Sequence, residues 1–586
     1  MNPVVTILLL TLLVVGVIWL QARWAEEDGD DDHGEARRPH AEAKVEREVR
    51  RLASPDPTEV REASNRLLSL GPGVIPALCT RLRAGDDATD AGDDPRNHQA
   101  LVEDLVASFG LHAAAPLARS LRRVVFPSPM IGAATRISLR VGSAAFGPLV
   151  AALGPENVAG LGLVLHRCPG MPEPHVLRRL RDLDPGQTHR TLQVFGGALE
   201  RHPGPVIGLF DGAGAALRRS MVGFFGGWPT PLAAEILVRA ADDPDPALRV
   251  AGSRGIGLLA AEAPAPMRAA LADPAPAVRL AALMGCGALT AEGLREGGVA
   301  QTLLERTQAG PADERVEAAL ALISAGAQPA VGGPAAEVLE ELAPPSALDA
   351  DDGEVRRWAA RALCLRASSE VPARERSILL AEGDDAHARA AACAGLVACD
   401  LRELPPLLAR AVSRCEGDPV EHFHLRLAAQ RMGDPALAPL LRLVRTARPA
   451  IALLAAELVA STGERSALEG LLRSLPHRRG DVVGMVIRSH CAAFGDLALA
   501  VAARLLTAEV GIIPTAICEF LLQYGDAERH AGVLIEALGR TEAHRAPALA
   551  ALECFAATAP QAVLTELDRR RDAPGGDWVR ARIGLN

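Results

Sequence analysis

The residues of this chain that carry chemistry in other contexts are scattered, and their spacing argues against a catalytic site. Lys44 is the sole lysine. A phosphate-binding P-loop, a kinase strand and a Schiff-base centre each need a lysine in a set context, and Ala43-Lys44-Val45-Glu46 matches none of them. Val206-Ile-Gly-Leu-Phe210 followed by Asp211-Gly212-Ala-Gly214-Ala-Ala-Leu217 imitates a strand and a dinucleotide turn. Leu217 stands where the third glycine belongs, so the imitation fails. Ala251-Gly252-Ser253-Arg254-Gly255 approaches a nucleophile elbow but falls inside a helical pattern. In Glu421-His422-Phe423-His424 the two imidazoles stand about 200° apart on a helix, so one ion cannot take both. Asp28, Asp30 and Asp32 open like a calcium loop, yet His33 replaces its turn glycine and Pro39 its closing glutamate. The run from Asp86 to Asp94 reads as a solvated loop. Ten cysteines, none spaced C-x-x-C and most among apolar neighbours, read as small buried hydrophobes in a reducing compartment. The expectation is a chain without catalytic residues, metal ligands or cofactor.

What recurs instead is arginine at a repeat spacing. Asp243-Pro-Asp-Pro-Ala-Leu-Arg249-Val-Ala251 and Asp273-Pro-Ala-Pro-Ala-Val-Arg279-Leu-Ala281 are offset by 30 residues. Looser copies surround Arg61, Arg218, Arg315, Arg356 and Arg389, and Asp577-Trp578-Val579-Arg580-Ala581-Arg582 reads as a last one. From Arg218 to Arg389 the steps are 31, 30, 36, 41 and 33 residues, a drift that loop insertions would produce. Each copy has helical spacing, as in Val316, Ala319, Leu320 and Ile323. The aspartate is expected to cap its helix and the proline to open it. Two short helices cannot bury their apolar faces alone, so neighbouring units must stack. A core with 3% aromatics must be made of Ala, Leu and Val, which suits thin helical layers.

Asp243 to Val250, Asp273 to Leu280 and Val355 to Leu363 resemble the HEAT-repeat family, especially its bacterial branch of phycobilisome-lyase HEAT-like repeats. The resemblance implies an all-α fold, a right-handed α-solenoid of stacked antiparallel helix pairs over residues 45–586. It further implies a structural ladder, with Asp243 and Asp273 in the Asp role and Arg249, Arg279, Arg315, Arg356 and Arg389 in the Arg role. Arg218, Arg249 and Arg279 are in addition candidates for touching a partner. The family mostly binds proteins, which implies a scaffold and not an enzyme. The alternative it leaves open is a lyase- or hydroxylase-like activity on a cofactor or protein substrate.

Ahead of the repeats, Pro3–Leu20 is eighteen residues without a charge, long enough as a helix to span about 27 Å of hydrocarbon. Trp19 and Trp24 suit an interfacial belt. The expected organisation is an uncleaved, single-pass transmembrane anchor over 1–25, an acidic disordered spacer over 26–44, then the solenoid. Arg23, Arg37 and Arg38 follow the apolar run, which places the solenoid in the cytoplasm by the positive-inside rule. A net charge of −10 argues against nucleic acid as the partner.

Overall fold

The computed structural model describes residues 38–84, 95–154, 156–167, 173–200, 203–259, 264–296, 298–367, 370–399, 401–463, 465–478, 480–508, 514–570 and 580. The apolar segment Pro3–Leu20, the acidic run to Asp32, the Asp86–Asp94 cluster, Cys168 and all of the last repeat copy except Arg580 lie outside the described residues. Among the described residues all regular structure is helical, and no single helix is long and apolar enough to cross a membrane. Within the span expected to form one solenoid, the contacts divide the chain into two compact units, Met1–Leu117 and Ala118–Asn586.

The first unit holds helices Arg38–Arg51, Pro57–Ser69, Ile75–Ala84 and Pro95–Ser108. Its first helix starts at Arg38, inside the span expected to be a spacer. Asp56 caps the second helix, accepting from the Thr58 amide at 2.8 Å. Ala63, Leu67, Ile75, Leu78 and Cys79 form a fully buried core.

The second unit alternates outer helices with an inner series. The inner helices are α1 (Pro129–Val141), α2 (Val158–Arg167), α3 (Pro185–Glu200), α4 (Ala215–Phe225), α5 (Pro246–Leu259), α6 (Pro276–Cys286) and α7 (Ala312–Ser324). They continue as α8 (Gly353–Arg366), α9 (Ala386–Leu396), α10 (Pro419–Met432), α11 (Pro449–Ser461), α12 (Val482–Ala493), α13 (Pro514–Tyr524) and α14 (Glu542–Thr558). Proline opens α1, α3, α5, α6, α10, α11 and α13, where its φ is preset and its missing N–H costs nothing. Asp352, Asp385, Asp418 and Asp481 cap α8, α9, α10 and α12.

The two best-matched repeats start differently from the expectation. Asp243 accepts from the Asp245 amide and Asp273 from the Ala275 amide, both at 2.8 Å. Each aspartate therefore closes the turn ahead of its helix, and Pro246 or Pro276, the second proline of the motif, is the first helical residue. The cap of α5 is Asp245, which accepts from the Ala247 amide at 3.0 Å.

The inner helices are more completely buried than one apolar stripe requires. In α7 every residue from Val316 to Ile323 is buried, not only the four at helical spacing. Other helices of the series gain burial from a second packing partner. Besides its neighbours in the series, α14 packs on α1, α12 and α13 pack on α2, α12 packs on α3, and α10 packs on α5. The inner face of the early repeats thus lies against that of the late ones. Glycine permits the closest approach. A Cβ on Gly197 of α3 would lie 1.9 Å from the Ser489 carbonyl oxygen of α12.

Candidate interaction site

The six arginines of the repeat series lie along one edge, near the starts of α4 to α9, and each spans two repeats. Arg249 donates from Nε to Asp273 Oδ2 at 2.8 Å and from Nη1 to the Asp243 carbonyl at 2.9 Å. Arg218 reaches Asp243 Oδ2 at 2.7 Å and the Ala213 carbonyl at 2.7 Å. Arg279 repeats the geometry with Glu314 Oε1 at 2.8 Å and the Asp273 carbonyl at 2.8 Å. Arg356 pairs with Asp385, Arg389 with Glu421 at 3.1 Å, and Arg315 with Glu341 at 3.1 Å. A planar fork can bind its own preceding loop and the next unit's carboxylate together, which a lysine cannot. At Asp273, desolvation would raise the carboxyl, but the Ala275 amide and Arg249 outweigh it and hold it below its ordinary range. Arg218, Arg249 and Arg279 thus spend donors within the chain before any partner arrives.

Sequence spacing missed Glu314, Asp385 and Glu421 as acceptors, because two are glutamates and none precedes a proline pair. The signal that finds them is an acidic residue near the start of the next inner helix.

Deeper in, Glu317 of α7 is fully buried among cations of α8. Its oxygens take Arg357 at 2.8 Å, Arg361 at 2.7 Å and the Trp358 indole N–H at 2.9 Å. Desolvation opposes the charge, but the two guanidiniums prevail and lower the carboxyl to about 2. Beside this cluster His424 bonds the Val420 carbonyl at 2.8 Å, and burial drives its pKa well down. Among the described residues no three His, Cys, Asp or Glu are placed to hold a metal ion. Of the nine described cysteines all but Cys399 are buried.

The face between early and late repeats sets buried polar groups among aromatic rings. His490 of α12 stacks on Trp228 at 4.1 Å and on Phe224 at 4.7 Å, and its Nδ1 lies 3.2 Å from Glu200 Oε1 of α3. Burial, opposed by the Thr230 hydroxyl, pushes Glu200 well above 4.5, and burial takes His490 well below 6.5. Both shifts favour the uncharged forms. Arg488 of α12 meets Glu519 at 3.1 Å, and Glu457 acts electrostatically on the buried Arg426 guanidinium. Arg167 of α2 donates to the Leu522 and Gly525 carbonyls and covers the Phe555 ring at 4.5 Å.

The Gly-rich segment that imitates a dinucleotide turn joins helix Pro203–Asp211 to α4. With Arg181 and Thr188 it lines a cleft of about 350 Å³. Ala251-Gly252-Ser253-Arg254-Gly255 lies in mid-helix in α5, where no strained turn exists.

No known family's sequence profile matches the chain, and no curated protein matches it. Solved structures overlap it loosely. The myosin chaperone UNC-45 from C. elegans, in complex with an Hsp70 peptide, is 12% identical, covering 97% of this chain and 73% of its own at a TM-score of 0.28. Kap95 in its complex with Nup1 is 12% identical, covering 93% and 80% at 0.27. Importin beta is 12% identical, covering 91% and 80% at 0.24. Overlaps this loose transfer neither partner nor activity, and the all-helical repeat fold stands on the chain's own helices.

Proposed function

We propose that the protein is a membrane-tethered scaffold that binds protein partners and performs no chemistry of its own. The observation that supports this best is the use to which its charged side chains are put. Arginines and carboxylates that would make a reactive cluster elsewhere are spent on joining one helix to the next, in the ladder and around Glu317. A stack joined this way is a stiff frame with long outer surfaces, which suits recruitment. The Glu200–His490 pair, the nearest approach to an acid–base dyad, is sealed between Phe224 and Trp228. The tether is the apolar Pro3–Leu20, and Arg23, Arg37 and Arg38 together with free cysteines favour a cytoplasmic frame.

The test is in-cell cross-linking of the full-length chain, followed by purification from membranes and mass spectrometry. A stoichiometric protein partner in the membrane fraction supports the reading. Recovery in the soluble fraction removes the tether. A chain that carries a metal or pigment and no partner removes the scaffold.

A further inference from the structure

The early inner helices end in a row of backbone carbonyls. The last turn of a helix leaves carbonyls without intrahelical donors and carries about half a negative charge. At the ends of α4, α5, α6 and α7 these acceptors take donors from one helix on the opposite side. Arg426 of α10 reaches the Gly226 carbonyl at 3.1 Å, and Gln430 reaches that of Leu258 at 2.9 Å. Arg431 spans Gly287 at 2.8 Å and Ser324 at 3.1 Å. Residues i and i+4 share a helix face and i+5 stands about 100° further round, so α10 reaches four successive helix ends from two adjoining sides.

α10 is an imperfect occupant. Arg426 is buried, yet its Nε and Nη2 have no partner. Close by, the carboxyl oxygens of Glu200 and both ring nitrogens of His490 are buried without a well-formed hydrogen bond. Along each series neighbours meet through Ala, Leu and Val as well as through the arginine ladder. Opening the face between the two series returns polar groups to water, which replaces their bonds. Pulling a series apart would expose apolar surface.

We propose that the row of helix ends at Gly226, Leu258, Gly287 and Ser324 is a docking surface for a basic helix of a partner protein, shut in this structure by α10 as an internal stand-in. The inference rests on the scaffold reading and adds the partner's chemistry: a helix with guanidiniums at i and i+5 and an amide or third cation at i+4. The internal helix competes through its high effective concentration, so withdrawing its basic edge must raise affinity for a copy supplied in trans.

The probe is a fluorescent peptide of residues 417–433, titrated against the full-length chain in detergent. The chain carrying Arg426→Ala and Arg431→Ala is expected to bind it about tenfold more tightly than the parent, and a peptide lacking both arginines is expected not to bind. A second variant guards against misfolding. Gly197→Leu drives α3 off α12 and so opens the face between the series while changing no residue of α10 or of the helix ends, and it should produce the same gain. If both variants melt cooperatively and bind the peptide no better than the parent, the docking surface does not exist. A cross-linked partner that the peptide fails to displace would also overturn it, while leaving the scaffold reading standing.

Discussion

The pair Glu200–His490 makes the contact between α3 and α12 sensitive to pH in a direction that can be worked out. When the helices separate, Glu200 returns to an ordinary value near 4.5 and His490 to one near 6.5. Packed, Glu200 is raised and His490 lowered, so the pair keeps one proton across the middle of the range. Between about pH 4.5 and 6.5 the separated pair also holds one proton, as carboxylate and imidazolium, and stability is flat. Above 6.5 the separated pair holds none. Packing then weakens by about 1.4 kcal/mol per pH unit until Glu200 itself ionises. Below 4.5 the separated pair holds two, and packing weakens again. Glu200→Gln removes the carboxyl's share and leaves that of His490. Its stability should rise with pH to about 6.5 and stay level beyond, where the parent falls. Urea titration read by Trp228 fluorescence at several pH values from 5 to 8.5, about one unit apart, compares the two curves; Trp228→Phe identifies its signal among the five tryptophans. If the difference between parent and variant does not grow above pH 6.5, the two buried groups are not the neutral pair described, and the reasoning fails.

Glu317→Ala strands Arg361 in the interior, leaves Arg357 with Glu354 alone, and should cost about 3–5 kcal/mol in chemical denaturation. Because Glu317 is held near 2, its contribution is present above pH 4.5 and should be lost as pH falls toward about 2 in acid titration of the parent. Gly257→Ala places a Cβ 2.0 Å from the Gly285 carbonyl oxygen and should destabilise the α5–α6 contact by at least about 1–3 kcal/mol; an unchanged melting temperature would contradict that packing. Arg249→Ala should cost only about 1 kcal/mol, since its pair lies at a partly exposed edge. Arg249→Lys should not restore the loss, because an ammonium cannot reach Asp273 and the Asp243 carbonyl together.

Much of the fold was legible locally. Proline and aspartate at helix starts, apolar residues at helical spacing and an arginine recurring about every 30–40 residues are signals contained within a turn or two of chain. They suffice for helix pairs, for repetition and for the failure of each catalytic motif, since a missing glycine or lysine excludes its chemistry wherever the segment lies. Even there the assignment of the capping residue slipped, because in Asp-Pro-Asp-Pro and Asp-Pro-Ala-Pro either proline can open a helix. The turn before it decides, through the side-chain bond from Asp243 to the Asp245 amide.

The partners of the inner residues were beyond local reading. Glu314 and Glu421 join the arginine ladder without any shared motif, and Gly197, Glu200, Ser489 and His490 meet across almost 300 residues. Which inner face opposes which follows from small rotations summed over many stacked helices, and a local pattern records none of them. Composition and spacing therefore determined that this chain is a repeated stack of Ala- and Leu-rich helix pairs. Tertiary packing alone decided that early inner helices lie against late ones, because that outcome depends on accumulated geometry and on glycines whose purpose appears only when another backbone lies 2 Å from where a side chain would begin.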